Sequence, residues 1–249
     1  MIQLFNLILY QPLLNLLVFF YNTIAFRDLG LAIIFLTIFL KLILYPISIS
    51  QIKAQKSLTE LQPKMSEIKK KFASDKVRLG QEMIELYRQH KINPFSSCLP
   101  ILVQLPILIA VYQVFVTGIS TQQLSLYPFI YNPGQLNPLA FGLVNFAERS
   151  FWLALLTGLV QFFQTKMLST KKPPPEVKKE KGARDESMMA IMNKQMIVMM
   201  PIFTVIIGMS LPAGLIFYWL ANLILTILQQ LLIFKKNKTK TVDSFLNIL

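Results

Sequence analysis

The chain has 249 residues, of which 54% are hydrophobic and 15% are charged, with a mean hydropathy of +0.52 and a formal net charge of +13. Soluble domains carry about 25% charged residues, so this composition excludes an ordinary soluble domain and indicates a polytopic membrane protein. One cysteine and one histidine exclude an intrachain disulfide and a Cys/His zinc cluster. The sequence contains no HExxH, GxSxG or glycine-rich phosphate loop, so we expect no catalytic residues, no metal and no cofactor.

Residues 1–28 form an apolar segment that differs from a secretory signal peptide. Its first basic residue is Arg27, so a basic n-region is missing, and no small-residue cleavage site is visible. Pro12 and several polar residues interrupt the apolar run, which favours a helix lying in the outer membrane interface. A true first membrane span is the alternative.

Residues 29–52 are almost unbroken apolar sequence with one charge, Lys41, near the middle. A single helix of this length rises roughly 36 Å at about 1.5 Å per residue, so we predict a membrane span with Lys41 near the bilayer midplane. A lysine there costs about 2.5–3.5 kcal/mol on insertion scales, unless a neighbour or water offsets its charge. We therefore expect Lys41 to mark a functional polar interior, with Thr37 on the same helical face four residues earlier.

Residues 53–92 form a polar segment with ten basic residues and an apolar stripe whose members are three or four residues apart. This stripe predicts an antiparallel helical hairpin whose two apolar seams face each other. The charged residues then occupy the solvated outer faces of the hairpin.

Four further apolar stretches predict membrane spans. A loop over 118–149 and a flexible polar linker over 169–195 separate them, and a basic tail over 235–249 follows the last. The predicted spans are 99–117, 151–168, 196–210 and 211–234.

The basic residues outside the spans are divided unevenly. The hairpin has ten, the linker seven and the tail four, whereas the 118–149 loop has one and the N-terminal segment has only Arg27. The positive-inside rule therefore places the hairpin, the linker and the tail in the cytosol and the N-terminus outside. Because topology accounts for most of the positive charge, direct readout of nucleic acid is not expected.

The order of these features and six groups of short motifs resemble the YidC membrane protein insertase family (the YidC/Oxa/Alb group). The motifs run from about residue 29 to residue 234, nearly the whole chain, and their order and spacing make the resemblance specific. They are Lys41 with Tyr45-Pro46; Leu61-Gln62-Pro63-Lys64; Asn93-Pro94 with Cys98-Leu99-Pro100; Gln104-Leu105-Pro106-Ile107; Met200-Pro201-Ile202-Phe203; and Pro212-Ala213-Gly214 with Tyr218-Trp219 and Gln229-Gln230.

The resemblance implies an all-α core over residues 29–234, in which five transmembrane helices enclose a hydrophilic groove. Such a groove is open to the cytosol and to lipid and closed on the outer side. It would guide hydrophobic segments of nascent proteins from the cytosol into the bilayer of a prokaryotic cell membrane, without nucleotide. The resemblance also implies that the protein works either alone or beside the Sec translocon. The ribosome and the signal recognition particle machinery are further candidate partners.

The resemblance implies that the charge of Lys41 attracts acidic or polar parts of the substrate. Gln164 and Trp219 resemble groove positions of the family, and Thr37, Gln104 and Tyr218 are further polar candidates at membrane depth. Two alternatives stay open: the polar side chains join helices through hydrogen bonds, or Tyr218 and Trp219 anchor the chain at the interface.

The sequence departs from the family pattern in two respects. The family's usual residue at the position of Lys41 is arginine, which stays charged, whereas a desolvated lysine can lose its proton, so function by charge requires a wet groove here. We also do not expect the large extracytoplasmic domain of some members, because the 118–149 loop is too short to form one.

A transporter or channel that uses Lys41 as an intramembrane substrate site is the alternative function. Transporter folds usually contain internal repeats and two or more broken helices. No internal repeat is visible in this sequence, so the insertase is the preferred prediction.

Overall fold

In the computed structural model, described for residues 2–90, 93, 99–120, 124–168 and 198–246, the chain forms a helical bundle with a separate helical hairpin at one end. Two turns of helix and π-helix, α1 (Ile2–Phe5) and π1 (Asn6–Tyr10), lead into α2 (Gln11–Thr23). The remaining helices are α3 (Leu29–Ile43), α4 (Tyr45–Lys71), α5 (Lys76–Gln89), α6 (Leu99–Ser120), α7 (Phe151–Leu168), α8 (Val198–Gly208) and α9 (Ala213–Leu246).

The predicted single helix over residues 29–52 is wrong. The helix breaks at Leu44, and the two parts meet at an angle of 73°. Pro46 explains the break, because proline has no N–H to bond the carbonyl of Leu42 and its ring clashes with that carbonyl. Residues 45–52 therefore belong to the first arm of the hairpin.

The break also changes where Lys41 lies along its helix. Lys41 lies in the last turn of α3, about 18 Å along the helix axis from Leu29 at 1.5 Å per residue. It therefore marks the end of a bundle helix, where the exposed backbone carbonyls favour a cation. The structure contradicts a straight helix over residues 29–52, and the place of Lys41 near the bilayer midplane stays a prediction.

The predicted helical hairpin is present as α4 and α5. Asp75 begins α5 by accepting a hydrogen bond from the backbone N–H of Arg78 at 3.0 Å. The seam between the arms buries Leu61 and Leu86, whereas Val77 and Ile84 lie exposed on the other face of α5. The hairpin is thus two helices joined by one apolar seam.

The described residues contain three helices that are long and apolar enough to cross a membrane, and the bent pair α3–α4 counts as a fourth. These three are Gln3–Thr23, Leu102–Ile119 and Ala213–Ile233. The helix α8 is shorter, at about 16 Å, and the start of the predicted 196–210 span and the 169–195 linker lie outside the described residues. The helix α9 continues beyond residue 234 into the predicted tail.

The segment over residues 124–149 closes one end of the bundle, and we name it the end cap. It contains a two-stranded antiparallel hairpin, β1 (Leu139–Ala140) and β2 (Val144–Asn145). The backbone N–H of Ala213 donates to Glu148 O at 2.7 Å, so the cap holds the start of α9.

The N-terminal helix α2 is part of the bundle core, because Leu14, Leu17 and Val18 are fully buried. Its polar side chains bind the end cap at points spread over two turns. Asn15 accepts from the backbone N–H of Tyr127 at 2.7 Å, and Asn22 donates to the carbonyl of Tyr131 at 2.7 Å. The segment therefore runs beside the cap, although its length and hydropathy also suit a membrane span.

Candidate functional site

The candidate site is centred on Lys41, whose side chain is partly buried between α3 and α9. Its Nζ donates a hydrogen bond to Thr226 Oγ1 at 2.7 Å. Within the described ranges, no carboxylate forms an ion pair with Lys41. A neutral hydroxyl and the carbonyl end of α3 therefore support this charge without neutralising it.

Thr226 was not among the predicted site residues, because a single threonine in a long apolar helix has no distinctive pattern. Its hydroxyl donates to the carbonyl of Asn222 at 2.7 Å, so the oxygen lone pairs remain to accept from Lys41. One sequence feature could have paired the two residues, namely their similar distance from the start of their helices. Lys41 and Thr226 lie 12 and 13 residues from Leu29 and Ala213, where α3 and α9 leave the end cap.

Thr37 shares a helical face with Lys41, as its spacing predicts, but no hydrogen bond joins its hydroxyl to the amine. It is buried in the bundle, and its hydroxyl donates to the carbonyl of Ile33 at 2.6 Å. The backbone of its own helix therefore satisfies this hydroxyl, as is common for threonine in a helix.

Gln104 and Tyr218 join α6 to α9. Gln104 Nε2 donates to the Tyr218 hydroxyl at 3.2 Å, and Tyr218 is only 2% exposed. This geometry matches the alternative in which polar side chains join helices, and such burial does not suit an interface anchor for Tyr218. Gln161 and Thr204 join α7 to α8 in the same manner, through a hydroxyl donor and an amide oxygen.

Gln164 and Trp219 are partly exposed, on α7 and α9 respectively. Gln164 lies one turn beyond the bonded Gln161, and Trp219 follows Tyr218 directly. The structure thus places the predicted polar residues along several helices of one bundle. Among the described residues, the hydrogen-bond partner of Lys41 is Thr226, which was not predicted.

Three glutamines extend the polar character of the site beyond Thr226, toward the hairpin end of the bundle. The Nε2 atom of Gln51 on α4 and the Oε1 atoms of Gln229 and Gln230 on α9 are buried without a hydrogen-bond partner among the described residues. An unsatisfied buried polar group costs about 1–3 kcal/mol. Each of these amides could therefore bond to water or to a polar guest.

The opposite direction, toward the end cap, is apolar. One turn from Lys41, a cleft of about 190 Å³ opens between α3 and α9. The charge therefore sits at a boundary between an apolar and a polar zone. The cleft is lined by Ile34, Ile38, Phe217, Leu220, Ala221, Ile224 and Leu225.

The motif Leu61-Gln62-Pro63-Lys64 lies on α4 opposite the end of α5, at the base of the hairpin. Leu61 is buried in the seam, Pro63 is exposed within α4, and Lys64 Nζ lies 3.0 Å from His90 Nε2. His90 Nδ1 lies 2.9 Å from the carbonyl of Leu86, so Nδ1 is the donor and Nε2 accepts from Lys64. Of Gln62, only the backbone is described.

A family profile and individual relatives both match most of this chain. The sequence profile described as "60Kd inner membrane protein" matches residues 19–240. The membrane protein insertase YidC of Fusobacterium nucleatum is 35% identical over 231 residues, which are 92% of this chain and 98% of that protein.

Two longer relatives with the same name match over most of this chain. The protein of Geobacter metallireducens is 31% identical over 220 residues, 88% of this chain and 35% of its own length. The protein of Rhizobium meliloti is 32% identical over 247 residues, 96% of this chain and 38% of its own length. The chain thus spans little more than a third of these two relatives.

Proposed function

Because the chain belongs to the 60Kd inner membrane protein family, the group of the YidC insertases, we propose that it is a membrane protein insertase. It would guide hydrophobic segments of nascent proteins into the lipid bilayer of a bacterial cell. The observation that supports this proposal most directly is Lys41, an ammonium without an acidic partner among the described residues, held by Thr226 where the apolar and polar zones meet.

The first step of the proposed mechanism is electrostatic. An acidic or polar part of the substrate enters from the hairpin end and approaches Lys41, beside the unpartnered amides of Gln51, Gln229 and Gln230. In a partly wet groove, with an effective dielectric of about 20, an ion pair at about 4 Å gains at most about 4 kcal/mol. Desolvation of the partner offsets part of this gain, so the charge assists transfer without trapping the substrate.

The second step is lateral release into lipid. The helix α8 presents exposed apolar side chains, among them Met199, Ile202, Phe203 and Ile206. An apolar substrate segment can exchange lipid contacts with this surface at little cost, because lipid tails are as apolar as these side chains. The end cap opposes passage through the other end of the bundle, which favours exit sideways.

The proposed mechanism predicts a graded effect of substitutions at Lys41. Lys41→Arg should preserve insertion, Lys41→Ala should impair it for substrates with acidic translocated segments, and Lys41→Glu should impair it more. A loss of about tenfold corresponds to about 1.4 kcal/mol, well within the electrostatic limit above. Protease protection in proteoliposomes measures insertion of one substrate with and without its acidic residues.

Lys166→Ala is the matched control, because Lys166 is an exposed lysine in the last turn of another bundle helix. It should leave the difference between the two substrates unchanged. If Lys41→Ala and Lys41→Glu inserted the acidic substrate as well as the parent protein, the electrostatic mechanism would be lost. Solute flux through the same proteoliposomes tests the transporter alternative.

We further propose that the hairpin, the linker and the tail face the cytosol, with the N-terminus outside. The charge distribution and the bonds of α2 along the end cap support this orientation. Single cysteines at Ser66, Asn132, Lys179 and Asn237, in a Cys98→Ser background, should react with an impermeant reagent outside the cell only at Asn132. External labelling at Ser66 or Lys179 would overturn the proposed topology.

The Sec translocon, the ribosome and the signal recognition particle machinery are proposed partners on the cytosolic side and within the membrane. The surface that supports such contacts is the basic hairpin, whose outer faces carry most of its lysines and arginines. The proposal needs no cofactor.

A further inference from the structure

We propose that Thr226 is a positioning residue that fixes the ammonium of Lys41 in the groove and thereby sets the preference of the groove for acidic substrate segments. This inference rests on the proposed insertase function. It concerns a residue that touches the charged group and is not itself required to touch the substrate.

The hydrogen bonds of Thr226 fix its hydroxyl as a donor to one partner and an acceptor from another. Its hydroxyl proton is committed to the carbonyl of Asn222 at 2.7 Å, which leaves the oxygen as an acceptor. Lys41 Nζ donates one of its three hydrogens to this oxygen at 2.7 Å. Two ammonium hydrogens remain for a carboxylate or carbonyl of the substrate.

A lysine needs such a partner more than an arginine would. Its ammonium is a point charge on a flexible four-carbon stem, so no rigid fork fixes its direction. The two α9 residues before Thr226, Ile224 and Leu225, are apolar and line the cleft toward the end cap. Among the residues that the structure describes, Thr226 is the hydrogen-bond partner of Lys41.

Loss of the hydroxyl would therefore release the ammonium. The flexible stem could then turn toward the hairpin end, where Gln229 and Gln230 offer unpartnered amide oxygens. The Coulomb energy of an ion pair is inversely proportional to distance. A charge displaced from about 4 Å to about 8 Å from its substrate partner therefore loses half of its attraction energy. The ammonium would keep its charge but would lie farther from the acidic group of the substrate.

Thr226→Val tests the inference, because valine keeps the branched shape and removes the hydroxyl. We expect insertion of the acidic substrate to fall about tenfold, the change typical of losing one hydrogen bond to a charged group. Insertion of the same substrate without its acidic residues should stay unchanged. Thr226→Ser restores an acceptor at the same carbon and should recover most of the insertion.

Thr157→Val is the matched control. Thr157 is also buried in a bundle helix, and its hydroxyl donates to the carbonyl of Leu153 at 2.7 Å, but within the described part of the chain no lysine donates to it. This variant undergoes the same chemical change and should not alter the ratio between the two substrates. Each variant is compared at equal amounts of folded protein in the proteoliposomes.

A double substitution separates positioning from simple structural damage. If Thr226 acts through Lys41, Thr226→Val should cause no further loss in a Lys41→Ala background. A further loss there, or an equal loss for both substrates, would overturn the inference. If Lys41→Ala impairs the acidic substrate while Thr226→Val does not, Thr226 has no positioning role but the proposed function stands.

If neither Lys41→Ala nor Thr226→Val changes insertion of the acidic substrate, the electrostatic mechanism fails and the inference fails with it. If the parent protein inserts neither substrate, while a known insertase does so in parallel liposomes, the proposed function itself fails. The outcomes for the residue and for the function are therefore distinguishable.

Discussion

The end cap and the hairpin are held by different means. The cap, residues 124–149, contains only two very short strands, yet Leu136, Ala140 and Phe146 within it are almost fully buried. The hairpin consists of two long helices, but its buried apolar side chains among the described residues are only Ile52, Leu61 and Leu86. Regular secondary structure and firm tertiary packing are therefore separate properties in this protein.

Backbone hydrogen bonds and aromatic rings fix the cap to the bundle. The carboxylate of Asp28 accepts from Leu31 N at 2.9 Å, which caps α3, and also from Phe141 N in the cap. The ring of Phe146 lies 5.1 Å from that of Phe217 on α9, in the range of favourable aromatic pairs. The cap thus ties the starts of α3 and α9 together.

Gly30 permits the close approach of the cap to α3. A Cβ atom at this position would lie only 2.4 Å from the ring of Phe141, a distance that side chains do not tolerate. The cap therefore depends on a missing side chain as well as on buried ones.

The hairpin arms are joined by weaker contacts. Tyr87 donates from its hydroxyl to Met65 Sδ at 3.8 Å, and partial burial raises the pKa of Tyr87 above its ordinary value, so the donor stays protonated at neutral pH. A thioether is a weak acceptor. We expect such a hairpin to move relative to the bundle, since only Ile52, Leu61 and Leu86 among its described side chains are buried apolar residues.

The largest expected effect is at the cap. Phe146→Ala removes a ring that is 1% exposed, and truncation of such a buried phenylalanine costs about 3–5 kcal/mol. Phe129 in the same segment is 81% exposed, so Phe129→Ala should change stability by less than about 0.5 kcal/mol. Denaturant unfolding in detergent micelles measures both, and equal effects would show that the cap is not a packed element.

A smaller and more local effect is expected in the hairpin. Leu86→Ala should cost about 2 kcal/mol, the low end for a buried leucine, because a seam between two helices can collapse into the space. Hydrogen exchange of the α4 and α5 amides should rise, while unfolding of the bundle should not change. Ile84→Ala, on the exposed face of α5, is the control and should alter neither.

If Leu86→Ala lowered the stability of the bundle as much as Phe146→Ala, the hairpin would be a core element. The contrast between the two ends would then be lost, together with the argument that one end is closed while the other is free to move.

Several features of the fold were predictable because they depend on short stretches of sequence. Apolar stretches predicted membrane helices, and the three- and four-residue spacing around Leu61 predicted the hairpin. The break at Leu44 was also accessible from sequence, because Pro46 lies within the apolar run. Hydropathy does not register the missing N–H of a proline, so the prediction joined two helices into one.

The site was predictable only in part. Spacing correctly placed Thr37 on the face of Lys41, but it could not show that the Thr37 hydroxyl bonds to the carbonyl of Ile33. Tyr218 was predicted as a groove residue or an interface anchor, and the structure shows it buried against Gln104. Side-chain partners depend on rotamers and on neighbouring helices, which a one-dimensional pattern does not contain.

The sequence by itself determined that this protein is a helical membrane protein of the YidC family, with an uneven charge distribution and one lysine in an apolar helix. These properties follow from composition, from hydropathy and from motifs a few residues long. Only the tertiary structure decided that Lys41 meets Thr226, a residue 185 positions away. That contact requires α3 and α9 to leave the end cap together and run side by side, and the packing of the whole bundle sets this arrangement.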